Sequence, residues 1–94
     1  MPSTYDVINP ANESIVETVN LLGLEETDAL IAKAAKAFES WKNVTPGERA
    51  RLLRAFSQIV TDHREELAQT EITNSGHTRG NALWEADNVA NTLM

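Results

Sequence analysis

The chain has 94 residues and a mass of 10.4 kDa, enough for one small domain but not for two lobes around a deep cleft. Fourteen acidic against eight basic side chains give a net charge of −6 and a pI near 4.7, so the positive field that a phosphate backbone requires is missing and no nucleic-acid partner is expected. Zero cysteines exclude disulfides, thiolate metal sites and a cysteine nucleophile within this chain.

No run approaches the roughly 18 apolar residues of a membrane span. The opening Met1-Pro2-Ser3-Thr4-Tyr5-Asp6 lacks the basic start and apolar core of a signal peptide. These features lead us to expect a cytoplasmic protein with no membrane partner. The apolar fraction of 41% and the charged fraction of 23% suit an ordinary globular chain.

In chain order, Thr4-Tyr5-Asp6-Val7-Ile8 carries the β-branched and aromatic side chains of a strand. Asn9-Pro10-Ala11-Asn12-Glu13 is turn chemistry, since proline fixes its own φ and asparagine tolerates unusual backbone angles. Ser14 to Val19 returns to strand composition, which predicts a hairpin over 4–19. A lone hairpin is marginal in water, so these strands need a surface to pack on.

From Glu25 the apolar period changes. Leu30, Ala34, Ala37 and Trp41 recur every three or four residues, with Ile31, Ala35 and Phe38 beside them, and predict an amphipathic helix over 25–41. Glu25, Glu26 and Asp28 in its first turn complement the helix dipole. Thr45-Pro46-Gly47-Glu48 is a capping box: Thr45 accepts from the backbone of Glu48, Glu48 reaches back, and Pro46 loses no needed donor.

The helix that follows, over 46–61, carries Leu52, Leu53, Phe56, Ile59 and Val60. A second start signal, Asp62 followed by Glu65, predicts a break near Thr61-Asp62 and a further helix over 63–75, ended by Gly76. A last helix over 79–94 shows the stripe Leu83, Ala86, Ala90 and Leu93, flanked by Trp84 and Val89. It reaches Met94 still in helical period and without a stop signal, so the ending reads as cut rather than designed. Trp41 and Trp84 read as core or interface residues.

The search for chemistry is short. His63 and His77 lie 14 residues apart without metal-site spacing, and read as an exposed helix histidine and a loop histidine without a convergent partner. The serines lack a nucleophile elbow. Neighbouring acids such as Glu25-Glu26 and Glu65-Glu66 point different ways around a helix. The four glycines form no phosphate-cradling loop. The residues by themselves therefore assign no catalytic residue and no cofactor-binding residue.

The order of the pieces is nevertheless specific. Val7-Ile8-Asn9-Pro10-Ala11 resembles the opening "INPAT-E" hairpin of the aldehyde dehydrogenase superfamily. Ala37-Phe38-Glu39-Ser40-Trp41 resembles its "AAFxxW" segment, and Thr45-Pro46-Gly47-Glu48-Arg49-Ala50-Arg51-Leu52-Leu53 its "TPxERAxxL" signature. Glu65-Glu66-Leu67-Ala68, Glu71 and Asn74-Ser75-Gly76-His77 follow "EELAxLExxxxGKP", with His77 and Thr78 in place of the usual lysine and proline.

The resemblance implies an α+β fold: an N-terminal β-hairpin followed by three to four amphipathic helices, the N-terminal part of an aldehyde dehydrogenase cofactor-binding domain, with residues 1–94 forming a single partial domain. It implies a parent that oxidises an aldehyde to a carboxylic acid through a cysteine thiohemiacetal, using NAD or NADP. The catalytic cysteine, the general-base glutamate and the cofactor region of the family lie beyond the equivalent of Met94. This chain alone is therefore expected to be inactive and to bind no cofactor.

The resemblance also implies part of a structural alkali-cation site, formed by the backbone carbonyl of Ile8 and the carboxylate of Glu85. Expected partners are the remainder of the parent enzyme, or further copies that self-associate through exposed apolar helix faces. The alternative is a stand-alone helical interaction module without catalytic activity.

Overall fold

The computed structural model describes residues 3–94. The order is β1 (Thr4–Ile8), β2 (Ile15–Asn20), α1 (Leu24–Trp41), α2 (Pro46–Asp62), α3 (Arg64–Ser75) and α4 (Arg79–Leu93). Each boundary falls within one residue of the sequence expectation. The fold is the α+β arrangement expected: one antiparallel hairpin and four helices.

The hairpin pairs Thr4 with Asn20 and Val7 with Glu17, then shifts register between Val7 and Ile8 to pair Ile8 with Ile15. Its turn is held by side chains. Asn9 Oδ1 accepts from the Ala11 amide at 2.9 Å, and Asn12 Oδ1 accepts from the Ser14 amide at 3.0 Å. Glu13 adopts φ 63°, a left-handed conformation that costs a side-chain-bearing residue some strain, offset here by its amide's 2.8 Å bond to the Asn9 carbonyl. The turn rests on α3's end: a Cβ at Gly76, itself at φ 74°, would lie 2.9 Å from Pro10 Cγ. Gly76 therefore serves both as left-handed stop and as the seat of the hairpin tip.

Thr45 caps α2 as read from sequence, accepting from the Glu48 amide at 3.2 Å. The reciprocal half of the box does not form. Arg51, one turn on, takes both Glu48 carboxylate oxygens at 2.6 and 2.9 Å, because a bidentate charged pair outcompetes a bond to a backbone amide. The expected break is present at His63, with φ −108° and ψ 18°. Asp62 does not cap α3; its carboxylate accepts instead from Gln58 at 2.9 Å, one turn back.

The core lies where α4 crosses α2 and α3, and it is built of small residues. Ala82, Ala86 and Ala90 are buried along one face of α4, with Ala68 from α3 and Val60 from α2. Ser57 is buried among them and donates from Oγ to the Ala90 carbonyl at 2.6 Å, tying α2 to α4. This corrects the stripe read for the last helix. Ala82 rather than Leu83 faces inward, and Trp84 is 64% exposed. A narrow alanine face permits close helix approach, which larger side chains would prevent.

α1 has no buried residue, and Leu30, Ile31, Phe38 and Trp41 are all exposed along its apolar stripe. The molecule is a slab of 48 × 37 × 14 Å with a radius of gyration of 17.4 Å. A compact chain of this length would have a radius of about 12 Å. The accessible surface is 7460 Å², against about 5,400 Å² for a compact monomer of this mass.

Candidate functional site

One cluster of ligand-bearing side chains converges among the described residues. Glu71 comes from the last turn of α3, His77 from the short connection after Gly76, and Glu85 from α4 about two turns beyond its start. One ligand atom from each can be chosen so that all lie within 4.8 Å of one another. His77 Nε2 is 2.9 Å from Glu85 Oε1. Ser75 Oγ donates to Glu71 Oε1 at 2.9 Å and to the Glu71 carbonyl at 2.8 Å, orienting that carboxylate.

Local structure explains the convergence. The left-handed Gly76 turns the chain out of α3, and Thr78 restarts it by accepting from the Asn81 amide at 3.4 Å. His77 is thereby fixed between two helix ends. α4 returns along α3, an arrangement held by the bidentate Arg64–Asp87 pair at 2.8 and 2.9 Å and by Arg79 on Glu65 at 2.7 Å.

All three clustered residues are half-buried. The Glu85 carboxylate beside His77, through its hydrogen bond first and then its charge, raises the imidazole pKa above the ordinary histidine value, with Glu71 adding to the same effect. Glu71 and Glu85 also stand at the rim of an open groove of about 380 Å³ whose apolar wall includes Phe56, Leu67 and Val89.

His77 was read as a loop histidine without a partner, and the structure corrects this. The pairing with Glu85 spans α4's first two turns, so no short-range spacing announces it. The stop at Gly76 and a cap at Thr78 are the signals that fix His77 at the mouth of α4. His63 is exposed as expected, its Nδ1 lying 2.9 Å from the Ile59 carbonyl. Ile8, expected to lend a backbone carbonyl, closes β1 where the bulge interrupts the ladder, on the strand that leads into the Pro10 contact with Gly76.

The described residues offer no cofactor fold. The sheet is one antiparallel pair, no parallel strand order creates a nucleotide crevice, and no glycine cluster cradles phosphate. No described helix is long and apolar enough to cross a membrane.

The family model for the aldehyde dehydrogenase family matches residues 1–94. The chain belongs to the aldehyde dehydrogenase family. It is 37% identical over 82 residues to mitochondrial succinate-semialdehyde dehydrogenase of Arabidopsis thaliana, covering 87% of this chain and 16% of that protein. It is 38% identical over 80 residues to malonate-semialdehyde dehydrogenase of Bacillus subtilis subsp. natto, covering 85% of this chain and 16% of the relative. Among solved structures, betaine aldehyde dehydrogenase of Staphylococcus aureus in complex with NAD+ superposes with a TM-score of 0.93 at 33% identity, over 98% of this chain and 19% of that one. The aldehyde dehydrogenase chain described here thus spans less than a fifth of the length of these relatives, and corresponds to an N-terminal segment of the family.

Proposed function

We propose that this chain is the N-terminal scaffold of an NAD(P)-dependent aldehyde dehydrogenase, a single partial domain whose catalytic residues lie in the remainder of a longer parent. The observation that carries the reading is the correspondence of almost the whole chain to less than a fifth of a solved aldehyde dehydrogenase. The exposed surface supports it. The excess over a compact monomer is about 2,000 Å², more than the roughly 800 Å² that one partner contributes to a standard stable interface, and the exposed surface includes the apolar stripe of α1.

The parent would oxidise an aldehyde to a carboxylic acid through a cysteine thiohemiacetal. This chain has no cysteine, and its antiparallel hairpin does not fit a dinucleotide, so its own role is to pack against and brace the elements that do the chemistry. NAD bound to the Staphylococcus relative supports NAD in the parent. The same reading includes a cytoplasmic, oligomeric enzyme whose partner surface is the exposed helix face. It also includes an alkali-cation site to which the Ile8 carbonyl and the Glu85 carboxylate contribute two hard oxygen donors.

The test is the native mass of the product detected in source cells with an antibody against this segment. A species several times larger than 10.4 kDa that reduces NAD or NADP in the presence of aldehydes is the expected result. A lone 10.4 kDa product without that activity would overturn it in favour of a helical interaction module.

A further inference from the structure

We propose that Glu71, His77 and Glu85 form a binding site for a divalent transition metal of the zinc class. The donor set is one imidazole nitrogen and two carboxylates, the mixture that zinc accepts at about 2.0–2.2 Å. At those bond lengths, donors of a tetrahedral site lie about 3.3–3.6 Å apart. Here His77 Nε2 lies 2.9 Å from Glu85 Oε1, and one donor atom from each of the three residues lies within 4.8 Å of the other two. The His77–Glu85 pair needs to open by roughly half an ångström and Glu71 lies within reach of both, so side-chain adjustments on the ångström scale seat the ion.

Two carboxylates with a neutral imidazole carry a charge that balances a divalent cation. The three donors come from the end of α3, the following loop and α4, so the metal would clasp the two helices where the chain turns.

The site is independent of the dehydrogenase reading. It differs from the alkali-cation proposal although Glu85 belongs to both, because a potassium-like ion prefers all-oxygen donors whereas an imidazole selects zinc, cobalt or nickel over magnesium and calcium.

The experiment titrates Zn2+ calorimetrically into the 94-residue chain, with Co2+ as a spectroscopic probe and circular dichroism to follow helix content. One equivalent of Zn2+ is expected to bind, to raise the thermal midpoint, and to resist displacement by a large excess of K+ or Mg2+. Co2+ should give visible ligand-field bands. His77→Gln is expected to weaken binding at least about tenfold, Glu71→Gln and Glu85→Gln to weaken it as well, and His63→Gln to leave it unchanged. His77 is a half-exposed loop residue, so its variant should keep the parent's helical spectrum. Unchanged affinity in His77→Gln, equal loss in His63→Gln, displacement by K+, or no Zn2+ binding would each overturn the proposal. Because metal that binds only the folded form adds helix to a partly folded chain, a loosely folded preparation still reads out the site.

Discussion

α1 and α4 carry comparable sequence signals and meet opposite fates. Both show apolar residues at helical spacing, and α1 has the larger and more regular stripe, yet α4 supplies three buried alanines and α1 none. The difference is what lies opposite. α4 has α2 and α3 to close on, with Ser57 and Arg64 anchoring it by side-chain bonds; α1 has no such partner within these residues. An amphipathic pattern thus identifies a face that needs covering without saying whether the cover is in the same chain.

The contrast can be broken most directly in the alanine seam. Ala82 is 2% exposed, so Ala82→Leu should overpack it and lower stability by about 1–3 kcal/mol, read as a fall in the urea midpoint. Ser57→Ala removes the hydroxyl bonded to the Ala90 carbonyl in a buried setting. The expected loss is about 1–2 kcal/mol, measured the same way.

Acid titration sharpens the comparison further. Arg64, through its hydrogen bond first, holds the Asp87 carboxyl below the usual aspartate value. The unfolded state then binds more protons than the folded state between the two pKa values, so stability rises with pH there. The pair's contribution is present above the unfolded value near 3.8 and lost as pH falls through the lower folded value. Asp87→Asn should therefore flatten the acid limb of the stability profile, with little change in the shape of the curve near neutrality.

The smallest stability effect is expected in α1. Leu30, 51% exposed, should tolerate Leu30→Ser within about 0.5 kcal/mol. Sedimentation should nonetheless show less self-association, since the variant removes apolar surface from the uncovered face. A large loss of stability in Leu30→Ser would mean that α1 is packed in solution and that the two regions do not differ as described.

Much of this was legible in the residues. Local chemistry fixed the hairpin turn at Asn9-Pro10, the cap at Thr45, the break before α3 and the stop at Gly76, because each depends on contacts within a few positions. The family was legible too, from motifs spread along the chain. The His77–Glu85 pairing and its approach to Glu71 were not, since they arise only after α4 folds back on α3. Nor was the capture of Glu48 by Arg51 in place of a completed capping box: both bonds are short-range, and the choice between them rests on charge.

By itself, then, the sequence determined where helices and strands begin and end and which family they belong to, as propensity, capping and period act over one or two turns. Tertiary structure alone decided that alanines rather than leucines and tryptophans form the core, that α1 stays uncovered, and that a histidine and two glutamates meet. Those outcomes depend on which surfaces touch, and helix periodicity specifies a face without specifying its neighbour.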